Sequence, residues 1–161
     1  MRSIIILLIL ILLVSLFTAC NPSLDHLESG EVTTEYFIET NQSCGWCGGT
    51  NDFNLTKGKA TFSHNYTCND YEDIPVKKIT ISDMEWTNLI AKLDFDAFQQ
   101  IDLQTCALCA DGCDTEIIIS KSGLSHRFTY AWHEAEELAK VRDFLNVFDS
   151  LKATKTAQFY N

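Results

Sequence analysis

Residues 116–130 read EIIISKSGLSHRFTY, and this stretch decides the fold. Ile117, Ile118 and Ile119 are apolar on both faces of an extended segment, as a strand inside a sheet requires. Lys121-Ser122-Gly123 then supplies a short hairpin loop. Beyond it Leu124, His126, Phe128 and Tyr130 face one way, while Ser125, Arg127 and Thr129 face the other. Two strands joined by so tight a loop pair antiparallel, so the rest of the chain is read as what extends and covers that sheet.

Working outward, Glu31 to Thr40 places Val32, Thr34, Tyr36 and Ile38 on one face of a half-buried strand. Asn41 to Asn51 (NQSCGWCGGTN) reads as a Gly-rich loop. Asp52 to Leu55 resumes extended, Thr56-Lys57-Gly58-Lys59 turns the chain, and Ala60, Phe62 and His64 alternate along a return strand. A further strand fits Val76 to Ile81. Ser82 and Glu85 form a capping box, with Ile81 and Trp86 at the two staple positions. Trp86, Leu89, Ile90 and Leu93 follow as one helical stripe. Residues 94–103 show no period and read as irregular. Glu134 to Leu151 closes the domain as a helix, acidic at its start and apolar at Leu138, Val141, Leu145 and Phe148. The expected class is α+β, an antiparallel sheet of about five strands with two helices packed on one face. The alternation of helix with parallel strand that a nucleotide-binding sheet needs is absent.

The ends of the chain carry a different grammar. Arg2 followed by the Ile- and Leu-rich run to Phe17, and then by Thr18-Ala19-Cys20, is a signal-peptide pattern too short for a bilayer span of about 20 residues. Phe17-Thr18-Ala19-Cys20 also fits a bacterial lipobox, in which Cys20 becomes the lipid-modified first residue. The expected division is therefore a lipoprotein signal peptide at 1–19, a lipid-anchored tether at 20–30, one α+β domain at 31–152 and a frayed tail at 153–161. The lipid holds the protein on a membrane of the cell envelope while the domain stays in water, facing the periplasm or the surface.

Cysteine parity agrees with that address. The 7 cysteines are an odd number, and setting Cys20 aside leaves Cys44, Cys47 and Cys68 in one half and Cys106, Cys109 and Cys113 in the other. In an oxidising envelope such thiols become bridges, and three in each half force at least one bridge between the halves. If residues 106–113 are helical, one neighbouring pair closes locally and the third cysteine reaches across. The pairing itself stays open.

From about Phe37 to Leu151 the order of strand, CxxC loop, strand, Lys-Gly turn, strand, capped helix, hairpin and final helix resembles uncharacterised small lipoproteins of the Bacteroidota envelope. The residues that carry the resemblance are Cys44-Gly45-Trp46-Cys47-Gly48-Gly49, Lys57-Gly58-Lys59 and the Ser82 capped helix. It implies an envelope location and a compact two-layer domain, and it brings no activity or catalytic residue with it.

Chemistry-bearing motifs are few. Cys44-Gly45-Trp46-Cys47 invites a thiol-disulfide oxidoreductase reading, but Gly48-Gly49-Thr50-Asn51 opposes the helix start that would stabilise a thiolate there. A brace is the preferred reading. The two CxxC motifs stand too far apart for a zinc knuckle, and neither is followed by the His that haem attachment needs. His133-Glu134 lacks the second His of a zincin helix. No metal, cofactor or catalytic residue is therefore assigned. Twelve basic against twenty-two acidic residues give a net charge of −10 with no basic patch, which disfavours nucleic acid. Trp86 belongs to the core stripe, whereas Trp46 in its Gly-rich loop is the candidate binding anchor. The expected function is a non-catalytic, lipid-anchored envelope module that binds a protein or glycan partner. Replacing Cys20 by Ser should release a folded domain to the aqueous fraction or block leader cleavage, read by fractionation and intact mass. A processed, membrane-bound variant would remove the lipid anchor from this reading.

Overall fold

A computed structural model describes residues 35–68 and 71–160. The expected signal peptide, Cys20, the tether and residues 31–34 of the expected first strand lie outside them. The described chain is α+β, with one antiparallel sheet in the order β4-β3-β2-β1-β5-β6. Its strands are β1 (Tyr36–Cys44), β2 (Gly49–Thr56), β3 (Lys59–Asn65), β4 (Ile74–Thr80), β5 (Cys113–Lys121) and β6 (Leu124–Tyr130). The helices are α1 (Asp83–Ile90), the single turn α2 (Phe95–Phe98) and α3 (Arg142–Thr156). The sheet therefore has six strands where the sequence suggested five, and three helices where it suggested two.

Strand β1 is central and pairs with β2 on one side and β5 on the other. Register carries its inward side chains into three rows across the covered face. The first runs Ile79, Ala60, Leu55, Ile38, Ile119 and His126. The second runs Phe62, Phe53, Thr40, Ile117 and Phe128. The third runs Ile74, His64, Asn51, Gln42, Thr115 and Tyr130. The first two rows are almost wholly apolar, and the helices cover them. Phe148 of α3 meets Phe53 edge-on at 5.8 Å between centroids, and Phe98 of α2 lies 4.9 Å from Phe128. Trp86 and Leu89 of α1 are buried in the same core. The opposite face is polar, with Asn41 donating to Asp52 at 2.7 Å and Arg127 paired to Glu116 at 3.5 Å. Edge strand β4 carries Pro75, Lys77 and Lys78, residues that discourage a further strand from adding.

Local chemistry explains most boundaries. The Ser82 capping box is complete, because Glu85 N–H donates to Ser82 Oγ and Ser82 N–H donates to Glu85 Oε2. Asp94 accepts from Ala97 N–H at 2.9 Å and so starts α2, in a segment expected to be irregular. Ser122 and Gly123 both take positive φ, as the tight β5–β6 hairpin demands. The expected helix over 134–151 is corrected in its first half. Residues Glu136–Leu138 form a 3₁₀ turn, and α3 begins only at Arg142. The Arg142 guanidinium donates to the carbonyls of His133, Glu134 and Ala135 and ties that entry segment down.

The frayed tail expected from Ala153 is corrected as well. Helix α3 continues to Thr156, a 3₁₀ turn follows over Ala157–Phe159, and Phe159 stacks on Phe62 at 6.0 Å. Lys155 Nζ reaches Glu85 Oε1 at 2.8 Å and donates to the Thr80 carbonyl at 3.2 Å, which joins the chain end to the α1 cap.

Leu89 and Leu145 are fully buried. Their replacement by Ala should each cost about 2 to 5 kcal/mol in denaturant melts, while Lys140→Ala at an exposed site should cost little. Similar small losses at all three would contradict the packing described.

Hydrogen bonding to Lys155, then to the Ser82 N–H and hydroxyl, holds the Glu85 carboxyl down from its ordinary 4.5 to about 2. A lowered folded-state pKa gives stability that is fully present above 4.5 and is lost as pH falls toward 2. Solvent screens this half-exposed pair, so the loss should be about 1 kcal/mol or less. Glu85→Gln should flatten that part of a stability-versus-pH curve, and an unchanged acid limb would exclude Glu85 as its source.

Candidate functional site

Strand β1 ends at Cys44 and β2 begins at Gly49, so the Gly-rich segment expected as a long loop is two paired strands and a four-residue turn. Alternation was hard to see there because Asn41, Gln42 and Ser43 are polar on both faces. The turn is fixed from several sides. Gly45 N–H donates to the Gly112 carbonyl at 2.9 Å, Gly48 N–H to the Gly45 carbonyl at 3.1 Å, and Thr67 Oγ1 to the Trp46 carbonyl at 2.6 Å. Gly49 holds φ at +70°, and a Cβ there would collide with the Asn65 carbonyl. Two disulfides flank the turn, Cys44–Cys113 and Cys47–Cys68. Trp46 stands at its tip with φ at 51° and with 79% of its surface exposed.

Cys44 and Cys47 are thus bonded to Cys113 and Cys68 and not to each other. Cys44–Cys113 is the bridge between halves that parity required, and Cys106–Cys109 is the pair that closes locally. Residues Ala107–Ala110 form a 3₁₀ turn above β5. Its organiser is Asp114, which accepts from the N–H groups of Ala107 and Leu108 at 3.0 and 2.7 Å and from Thr105 Oγ1 at 2.6 Å. Burial raises the Asp114 pKa, but the Leu108, Thr105 and Ala107 hydrogen bonds outweigh it and hold the carboxyl below its ordinary value. Nothing in the sequence marked Asp114, because its partners lie in a segment without periodicity.

An aromatic path leads from this end of the sheet toward α3. Exposed Tyr71 stacks on Tyr66 at 5.0 Å, Tyr66 lies 4.1 Å from His64, and His64 meets Tyr160 edge-on at 5.8 Å. Tyr66 N–H donates to Asp73 and steadies the loop.

Beside it, the third row of the covered face meets the last turns of α3. Gln42, Asn51 and Thr115 from the sheet, with Asp149, Lys152 and Tyr160 from the chain end, line a cleft of about 350 Å³. Asn51, His64 and Tyr130 are at least nine-tenths buried, and among the described residues Asn51 Oδ1, His64 Nε2 and Tyr130 OH have no hydrogen-bond partner. Burial pushes the Asp149 carboxyl up, with His133 and Lys152 pulling it back, and pushes the Lys152 ammonium down against Asp149 and Asp52. Burial also lowers His64, despite the Gly48 backbone and Asp73, and raises the Tyr130 and Tyr160 hydroxyls. His133 Nε2 bonds Asp149 Oδ2 at 2.9 Å, and its Nδ1 meets Asn146 Oδ1 at 3.0 Å.

The sequence-derived candidates fall in two groups. Trp46 and the six bridged cysteines gather at one end of the sheet, whereas Cys20 lies outside the described residues. His126 is half-buried at the edge of the core, bonded through Nε2 to the Ile101 carbonyl at 2.7 Å. The cleft was missed, although Asp149, Lys152 and Thr156 follow one another at helical spacing and could have been read as a polar stripe. Among the described residues no His, Cys, Asp or Glu cluster is suited to a metal ion, and no helix is long and apolar enough to cross a membrane. No protein-family model matches the chain, and no curated protein is recognisably similar to it in sequence.

Proposed function

We propose that this protein is a non-catalytic, lipid-anchored module of the bacterial cell envelope that binds an envelope protein or glycan through the braced Trp46 turn. The observation that carries the reading is Trp46 itself, a large aromatic left 79% exposed at a positive φ, on a turn flanked by two disulfides. A side chain placed so has no packing role in its own domain. Holding it in one position before binding removes part of the ordering entropy that association would otherwise cost. Aromatic anchors of this kind dominate the energetics of recognition surfaces. The leader pattern and the odd cysteine count support the envelope address, and three bridges suit an oxidising compartment.

The test is site-specific photocrosslinking of the full chain in its native membrane. A photoreactive residue replacing Trp46 should give a discrete adduct, and the same residue replacing exposed Leu124, at the far end of the sheet, should give none. Trp46→Ala should leave the thermal midpoint within error and abolish competition for that adduct. Equal labelling at both positions, or none at Trp46, would defeat the proposal.

A further inference from the structure

The cleft between the third row of the sheet and the end of α3 has no part in the Trp46 reading, and its chemistry is specific enough to name a ligand class. We propose that it binds a neutral polyhydroxylated ligand, of which a single sugar residue is the representative.

The first observation is an unpartnered buried acceptor. Asn51 lines the cleft, is 7% exposed and donates through Nδ2 to Gln42 Oε1 at 2.9 Å, while its Oδ1, sealed behind the cleft wall, has no hydrogen-bond partner among the described residues. Leaving such a group dry costs about 1 to 3 kcal/mol, so this row is kept polar against the stability of the fold. In the same row His64 Nε2, directly opposite Asn51, and Tyr130 OH, at the far end beyond Gln42 and Thr115, also lack a hydrogen-bond partner among the described residues. Filling the row with apolar side chains would have been the more stable solution, and the neighbouring rows adopt it.

The second observation is charge balance. Asp149 and Lys152 lie one turn apart on α3 and both line the cleft. An ionic ligand of either sign would meet a like charge beside the opposite one. A neutral ligand meets an ammonium donor, a carboxylate acceptor and the half-buried Gln42 amide together. Hydroxyl groups answer all three, since each both donates and accepts. Among the described residues Lys152 Nζ has no hydrogen-bond or ion-pair partner within 4.0 Å, while one Asp149 oxygen is already held by His133.

The third observation is shape. The volume of about 350 Å³ lies at the small end of ligand sites and admits one sugar ring without a long chain. Tyr160, 49% exposed, stands at the mouth with a ring on which the C–H face of a sugar can lie.

The experiment uses the full chain in micelles of a sugar-free zwitterionic detergent. Glucose, galactose, mannose and N-acetylglucosamine are titrated singly while the side-chain amides of Asn51 and Gln42 are followed by NMR. At least one should shift both amides saturably. Lys152→Met, which keeps the aliphatic stem, should weaken that affinity about tenfold or more with an unchanged thermal midpoint. Trp46→Ala should leave it unaltered. No saturable shift with any of the four sugars overturns the proposal, as does a response to acetate or glycine in their place. Binding that survives Lys152→Met but is lost in Trp46→Ala overturns the cleft and leaves the Trp46 reading standing.

Discussion

The register of β1 is the constraint on which the rest of this structure depends. The strand pairs with β2 from its own half of the chain on one side and with β5 from the other half on the other side, so Ile38 stands opposite both Leu55 and Ile119, and Thr40 opposite both Phe53 and Ile117. A slip of one residue against either neighbour would turn this inward set to solvent and bring Glu39 and Asn41 into the core. Cys44 and Cys113 are register partners as well as a disulfide, so the covalent bond lies across one rung of the ladder and forbids that slip. Thr40, the polar member of an apolar row, is tolerated because its hydroxyl donates to the Phe53 carbonyl at 3.3 Å.

From that register the two ends of the sheet acquire different characters. Toward the Lys57-Gly58 and Ser122-Gly123 turns the rows are apolar, and the helices seal them with Leu89, Phe98, Phe144 and Phe148. Toward the cysteines the row is His64, Asn51, Gln42, Thr115 and Tyr130, and α3 answers with Asp149, Lys152 and Thr156 in place of phenylalanines. One helix thus changes from an apolar to a polar stripe partway along its length. That change is what makes a cleft where the middle of the sheet has a core.

What could be read from the sequence follows the same division. The Ser82 cap, the Gly58 turn and the alternation through Phe128 and Tyr130 each declare themselves within a few residues, because local chemistry fixes them. Strand β1 beyond Thr40 did not, since Asn41, Gln42 and Ser43 give no apolar period and the Gly-rich turn beyond them suggested a longer loop. The single-turn α2 was hidden because four residues are too few to show a helical period. The chain end was misread for another reason. Phe159 and Tyr160 are isolated aromatics in sequence, and their partners Phe62 and His64 lie almost a hundred residues away. The exposure of Trp46 was legible because a tryptophan among glycines has nothing local to pack on. The cleft was not, since its members come from β1, β2, β5 and α3 and meet only through the register of the sheet.

The placement of the disulfides is the counterpart of that polarity. All three gather at the polar end, and none braces the apolar one. By loop-closure entropy Cys44–Cys113, at a sequence separation of 69, contributes about 4 kcal/mol and Cys47–Cys68, at 21, about 3 kcal/mol, whereas Cys106–Cys109, at 3, contributes least. The two larger contributions offset the loss of stability at a row where buried polar atoms stand unpartnered. A sequence that keeps unpartnered polar groups inside and then holds their surroundings together covalently is arranged for something other than stability, and this end of the sheet also bears Trp46, Tyr66 and Tyr71. Both proposed recognition surfaces lie at the braced end, and the apolar end is the scaffold that holds it.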